Sequence, residues 1–255
     1  MRTFLRLKNQ QQHKLPAEFQ HEDLRYTEEL VAHFLRQYTR PGDTVFDPFA
    51  GYGTTLIVAE AMDREPYGIE IDARRAGYIR SRLQRPASLI HGDTRQILSY
   101  QIPPIAFSIT SPPYMAATDP EDPFTNYREA GAGYAAYLQQ MERIYADIRQ
   151  LLMPGARAVL EVSNLKDEHG ITTLAWDVAR AVSNVLVFEG EVVIGWDSYG
   201  YGYDHSYCLV FRKPAADKVT RDKVTGRGLA GDRCAVSLPP VTLSPCHLVS
   251  RKGKR

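Results

Sequence analysis

Between Asp43 and Arg212 the sequence alternates short apolar runs with amphipathic helical stretches, and this alternation restricts the fold more than any other feature. DTVFD (43–47) reads as a strand and GTTLIVAEAMDR (53–64) as a helix; EPYGIEI (65–71) and DARRAGYIRSRL (72–83) repeat the pair. ASLIH (87–91) and IAFSIT (105–110) continue the strand series. Tyr134, Tyr137, Leu138, Met141, Ile144, Tyr145, Ile148 and Leu152 fall on one face of a longer helix. ARAVLEV (156–162) is a further buried strand, followed by a helix over roughly 171–186. Two last runs, EVVIGW (191–196) and SYCLVFR (206–212), flank the Gly- and Tyr-rich SYGYGYDH and read as an antiparallel hairpin. Repeated strand–helix units bury a mostly parallel sheet between two helical layers. The expected fold class is α/β: a Rossmann-like, mostly parallel seven-stranded sheet with a closing antiparallel hairpin, which a dinucleotide dehydrogenase would not show.

At 255 residues the chain has room for one generous α/β domain and not for two. We expect an irregular, Gln-rich lead-in over 1–20, the main domain over 21–213 and a basic tail over 214–255. A helix should start after Thr27, an N-cap followed by Glu28 and Glu29 in the first turn. No apolar run approaches the ~20 residues a bilayer demands, and MRTFLRLKNQQQHK has no hydrophobic stretch behind its charges, so a cytoplasmic protein without a membrane partner is expected. Cys208, Cys234 and Cys246 are too few and too scattered for a disulfide framework or a zinc site, and no metal is expected. The net charge of +1 hides an asymmetry, since Lys213–Arg255 carries ten Lys and Arg against three Asp. Such a tail attracts a phosphate backbone by counterion release, or it is simply a solvated terminus.

The first candidate site is Asp47-Pro48-Phe49-Ala50-Gly51-Tyr52-Gly53-Thr54-Thr55, where the first strand of the alternation passes into a helix. That is the ligand crevice of an open α/β sheet. Glycines there let the backbone approach a bound nucleoside, and the helix start offers N–H donors. Leu56 stands where a dinucleotide fingerprint needs its third glycine, and no Lys follows, which rules out a phosphate-gripping loop. Glu70, ending the next strand, is placed to accept hydrogen bonds from ribose hydroxyls. Asp93, after the third strand, is placed to meet an adenine amino group. Acids at two successive strand ends beside the glycine turn point to a nucleoside cofactor.

The second candidate site is Ser111-Pro112-Pro113-Tyr114, directly after the fourth strand. Consecutive prolines hold the backbone extended and remove two N–H donors, so the segment presents carbonyl oxygens. The Ser111 hydroxyl and the Pro112 carbonyl can accept the two protons of an amino group, while Tyr114 stacks on the base that bears it. A base inside a duplex cannot reach such a pocket unless it is flipped out.

Together the two segments resemble the amino-methyltransferases of DNA, the N6-adenine and N4-cytosine enzymes. Asp47–Thr55 is similar to that family's cofactor motif DPFxGxGTT, and Ser111–Tyr114 to its catalytic motif [DNS]PP[YFW]. The resemblance covers residues 20 to about 212 and implies the class I methyltransferase fold with S-adenosyl-L-methionine as cofactor. It implies cofactor contacts from Thr27, Asp47, Pro48, Phe49, Gly51, Gly53, Thr54, Glu70 and Asp93, with Thr27 against the methionine portion. The catalytic set it implies is Ser111, Pro112, Pro113 and Tyr114. An SPPY motif is typical of the N4-cytosine members, so DNA with a flipped cytosine is the expected partner and substrate. No insertion matches the family's usual target-recognition domain. The loop 115–133, the hairpin loop 198–205, the basic tail or a homodimer would have to supply that surface. The motif order, cofactor before catalytic, also differs from the permuted order of many members. N6-adenine methylation, methylation of an RNA base and a non-catalytic cofactor-binding subunit stay open as alternatives. Pro245-Cys246 resembles a C5-cytosine nucleophile only superficially, His169 and His205 need no catalytic role, and Asn164 reads as a loop-stabilising residue before a base-pocket one.

Overall fold

The computed structural model describes residues 2–168, 170–198 and 202–215. One compact unit runs from Met1 to Asp217. Cys234, Cys246, His169 and all but the start of the basic tail lie outside the described residues. Among the described residues no helix is long and apolar enough to cross a membrane.

Among the described residues ten strands and five α-helices follow in chain order: β1 (Phe4–Leu7), α1 (Glu28–Tyr38), β2 (Thr44–Asp47), α2 (Thr54–Ala61), β3 (Glu65–Glu70), α3 (Ala73–Arg82), β4 (Leu89–His91) and β5 (Ile105–Thr110), then α4 (Tyr134–Leu151), β6 (Leu152–Val162), β7 (Leu165–Asp167), β8 (Gly170–Thr172), α5 (Leu174–Ser183), β9 (Val187–Trp196) and β10 (His205–Arg212). Eight of them form one sheet in the order β1-β9-β10-β6-β5-β2-β3-β4, in which β10 alone runs against its neighbours. Period-two alternation sorts the side chains between two cores. On β10, Leu209 and Phe211 join the core under α4 and α5, while Cys208 and Val210 join the core under α1.

The expected seven strands and closing hairpin are present, and the sheet has an eighth. Residues 1–20 are not irregular throughout: Phe4–Leu7 pair in parallel with Val193–Trp196 and cover the sheet edge that β9 would otherwise expose. Four residues with one buried side chain, Leu5, give too short an alternation to recognise in isolation. Where a helix was expected from 171, β8 instead pairs with β7 in a small hairpin and α5 begins at Leu174.

Helix α1 starts as its sequence dictates, with the Thr27 hydroxyl accepting the Leu30 N–H at 3.3 Å. The glycine turn is built by two left-handed residues, Gly51 (φ 56) and Gly53 (φ 81). A Cβ on Gly53 would also lie 2.8 Å from the Ile79 side chain, so the turn and the packing of α2 on α3 both require glycine there. The carboxyl ends of β2 to β6, the free end of the β9–β10 hairpin and the end of β1 share one edge of the sheet. The candidate site stands on that edge.

Candidate active site

A cavity of about 1090 Å³ opens along the edge. Single-ligand pockets occupy roughly 300–1,000 Å³, so this one has room for a nucleoside cofactor beside a second small group. Glu70, on its wall, is only 5% exposed. One Glu70 oxygen accepts the Gly51 N–H at 2.7 Å and the other the Asp72 N–H at 2.8 Å. Burial raises the carboxyl to about 7, against the opposing pull of the Asp72 N–H, the Arg75 charge and the Gly51 N–H. Pro48 and Phe49 form the adjoining wall, and the Phe49 ring lies 6.0 Å from that of Phe124.

Asp93 also lines the cavity, but its carboxylate is engaged by Arg95 through the backbone N–H, Nε and Nη2, at 2.7–3.0 Å. The same arginine reaches Asp122 at 3.3 Å. The loop 115–133 therefore folds back towards the ends of β3 and β4. A second tie is the ion pair from Arg128 to Asp72 at 2.5 Å.

Three residues expected to touch the cofactor stand behind the wall and do not line the cavity. Thr27 is fully buried and spends its hydroxyl on capping α1. Asp47, 1% exposed, accepts hydrogen bonds from Thr55 and Thr110 hydroxyls at 2.6 Å, from the Phe49 N–H at 3.0 Å and from the Tyr26 hydroxyl at 3.1 Å. It braces the turn from beneath. Gly53 forms the turn without facing the ligand space. Thr54, by contrast, lines it.

The Ser-Pro-Pro-Tyr segment also lines the cavity. The Tyr137 hydroxyl donates to the Pro113 carbonyl at 3.0 Å and the Tyr127 hydroxyl to the Tyr114 carbonyl at 2.6 Å; the Pro112 carbonyl takes neither. Ser111 and Tyr114 converge on one atom that sequence reasoning missed. The Oε2 of Glu161 accepts the Ser111 hydroxyl at 2.9 Å and the Tyr114 hydroxyl at 3.1 Å. Glu161 is 4% exposed, stands one residue from the end of β6 and lines the cavity. The signal was a single carboxylate in the buried and otherwise apolar run Ala158–Val162, because such a charge is retained only with partners. Asn164, two residues beyond Val162, faces away from this work: its Oδ1 accepts the Ala175 N–H at 3.0 Å and caps α5.

The sheet order and this site, a glycine turn with an acid on the next strand and a hydroxyl–carbonyl–aromatic wall opposite, define a class I S-adenosylmethionine-dependent methyltransferase fold. A structure of TrmN from Thermus thermophilus shares it, at a TM-score of 0.53 and 21% identity over 73% of this chain and 49% of that one. Residues 4–80 match the family model described as DNA methylase. The type II methyltransferase M.SmaI of Serratia marcescens is 45% identical over 47 residues, 18% of this chain and 16% of its own. M.BglII of Bacillus subtilis is 43% identical over 47 residues, 18% and 13% of the two chains. By these matches the stretch 4–80 is similar to DNA methylases, and the 47-residue stretches to type II methyltransferases. The matched stretch spans less than a fifth of either relative.

Proposed function

We propose that this protein transfers a methyl group from S-adenosylmethionine to an exocyclic amino group of a DNA base, with cytosine N4 as the favoured target. The observation that carries the reading is the convergence of Ser111 and Tyr114 on Glu161, beside the Pro112 carbonyl and across the same cavity from Glu70. The cofactor fits the residues present: a buried carboxylate for ribose hydroxyls, an apolar wall at Phe49 and Phe124, and volume for a base besides. When bound, it supplies an electrophilic methyl carbon.

The protein's share is alignment and electrostatics. An exocyclic amine is a weak nucleophile because its lone pair is delocalised into the ring. Acceptance of its two protons by Ser111 Oγ and the Pro112 carbonyl draws nitrogen towards the tetrahedral geometry that attack requires. Glu161 holds the Ser111 hydroxyl so that its lone pairs face the base, and holds the Tyr114 ring as a stacking surface. Transfer would exchange the cofactor's S–CH3 bond for an N–CH3 bond, with the thioether as leaving group; the resulting ammonium would be acidic, and Ser111 would pass its proton to Glu161 or to water. No base stronger than these is needed before attack.

The direct test supplies methyl-labelled cofactor with unmethylated duplex DNA and, separately, total RNA, followed by digestion to nucleosides and identification by mass. N4-methyldeoxycytidine is the expected product. N6-methyldeoxyadenosine would keep the mechanism and overturn the base assignment; label confined to RNA would overturn the substrate class.

Cofactor affinity should also depend on pH. Ribose hydroxyls donating to Glu70 favour its charged form, so binding depresses a pKa that burial has raised to about 7. Affinity for S-adenosylhomocysteine is expected to rise as pH climbs through about 7, with Glu70→Gln flattening the profile; titration calorimetry across pH 5.5–8.5, a window of about 1.5 units either side, would check both. The same group makes the unliganded fold more stable on the acid side. Its contribution is complete below the ordinary carboxylate range and fades as pH rises through about 7.

A further inference from the structure

A second groove, of about 490 Å³, lies along the outer three strands of the sheet, β1, β9 and β10. The strand register puts four of its side chains on one face. Phe4 and Tyr207 stand either side of Val193, and Arg6 and His205 either side of Gly195. Gly195 is the floor: a Cβ there would lie 3.1 Å from the Phe4 ring, so glycine lets that ring settle against the sheet. Phe4 is nevertheless 58% exposed.

The rings opposite Phe4 are fixed before any partner arrives. Tyr207 packs on Trp176 of α5 at 4.8 Å between centroids and meets His205 edge to face at 5.2 Å. His205 Nε2 lies 2.9 Å from the Tyr207 hydroxyl, and its Nδ1 2.9 Å from the Asp204 carboxylate. Arg6 is exposed and engages no carboxylate among the described residues. Exposed apolar side chains mean little singly, but ring faces gathered round a cation mark a contact surface. The groove is also continuous with the active-site cavity. Trp196 lines both, held by its Nε1 donating to Ser206 Oγ at 2.9 Å. Where the two meet, the Asn9 N–H donates to the Asp197 carboxylate at 2.8 Å and keeps the ends of β1 and β9 together.

We propose that this groove is a strand-binding subsite. The DNA strand that delivers the target base continues from the cavity along β1, with a neighbouring unstacked base on the Phe4 and Tyr207 rings and a phosphate on Arg6. Flat aromatic faces beside a cation suit that occupant, since every base has a π-face and every linkage a negative charge. The proposal rests on the DNA reading above and adds to it a surface that grips the strand beyond the target base.

The test measures binding of a labelled, mixed-sequence single DNA strand of about 20 nucleotides, longer than the ~4–16 that one such surface covers, to the full chain by fluorescence anisotropy across salt concentrations. Phe4→Ala should weaken binding at least about fivefold, the loss of one stacked base. Arg6→Ala should lower the slope of log affinity against log salt by about 0.7, one phosphate contact on a single strand. Both side chains are exposed, so both variants should fold, and both should bind S-adenosylhomocysteine within about twofold of wild type. Arg149→Ala, an exposed arginine where α4 runs into the start of β6, should change neither quantity. A strand carrying 5-iodouracil should photocrosslink to Phe4 or Tyr207, read by peptide mass. Unchanged affinity and slope in both groove variants, with wild type still methylating DNA, would overturn the groove and leave the methyltransferase reading standing. The selective losses together with no methylation of DNA by wild type would keep the groove and sink that reading. A dimer lost in Phe4→Ala without loss of strand affinity would give the face to a second copy of the chain and overturn the proposal.

Discussion

Replacing Glu161 with Ala is expected to lower the single-turnover rate of methyl transfer about a hundredfold or more, the scale of loss when reacting groups are misplaced by an ångström. Affinity for S-adenosylhomocysteine should stay within about twofold, because Glu161 on β6 holds Ser111 and Tyr114, while Glu70 ends β3, with β5 and β2 between. Its one oxygen anchors both the Ser111 and the Tyr114 hydroxyls, at 2.9 and 3.1 Å. Without it the serine rotor can turn its proton towards the base and offer a donor where an acceptor is wanted. Glu161→Gln retains an acceptor of the same reach but loses charge assistance, so an intermediate loss of about tenfold is expected. The ordering Glu, Gln, Ala separates a positioning role from a merely structural one, which would lower stability and leave the rate of the folded fraction unchanged. Thermal unfolding of each variant supplies that control. Unaltered single-turnover rates in both variants would remove Glu161 from the mechanism.

The second large effect falls on stability. Asp47→Ala is expected to cost about 4 kcal/mol, from several hydrogen bonds to one carboxylate and the donors left unpaired behind it. For a chain of this size that lowers the melting temperature by on the order of 10 °C. Burial pushes the Asp47 carboxyl up, while the Thr110, Thr55, Phe49 and Tyr26 donors pull it back, and these four contacts tie β2 to β5, α2 and the segment before α1. Chemical denaturation of Asp47→Ala, Asp47→Asn and Thr110→Val would grade the effect, with the threonine variant losing about 1 kcal/mol as one deleted partner. A shift below about 1 kcal/mol for Asp47→Ala would show that the turn is braced from elsewhere. Because the Phe49 N–H is one of the four donors, the alanine variant that survives should also bind S-adenosylhomocysteine more weakly.

The two predictions divide a motif that a sequence reading treats as one unit. Of that motif, Asp47, Pro48, Phe49, Gly51, Gly53 and Thr54 are all expected to contact the cofactor. In the structure Pro48, Phe49, Gly51 and Thr54 face the cavity, while Asp47 and Gly53 shape the turn from behind. Spacing along the chain places a motif at a strand end; it does not tell which side chains point out of a tight turn. Asp93 shows the same limit, since its engagement by Arg95 depends on local turn geometry that the Gly-Asp pair alone does not reveal.

What the sequence determined by itself was local and periodic. The strand–helix alternation, the Thr27 cap, the glycine turn and the double proline each follow from side-chain chemistry acting over a few residues, and they were enough to give the fold class and to place both candidate segments at strand ends. Tertiary structure alone decided the pairings across long separations. Ser111 and Tyr114 meet Glu161 some fifty residues later because β5 and β6 lie side by side. The segment carrying Gln11 reaches the cavity because β1 adds itself to β9, nearly two hundred residues away. Such contacts form because burying charge and apolar surface is favourable only when distant partners arrive together, and no short window of sequence contains both partners.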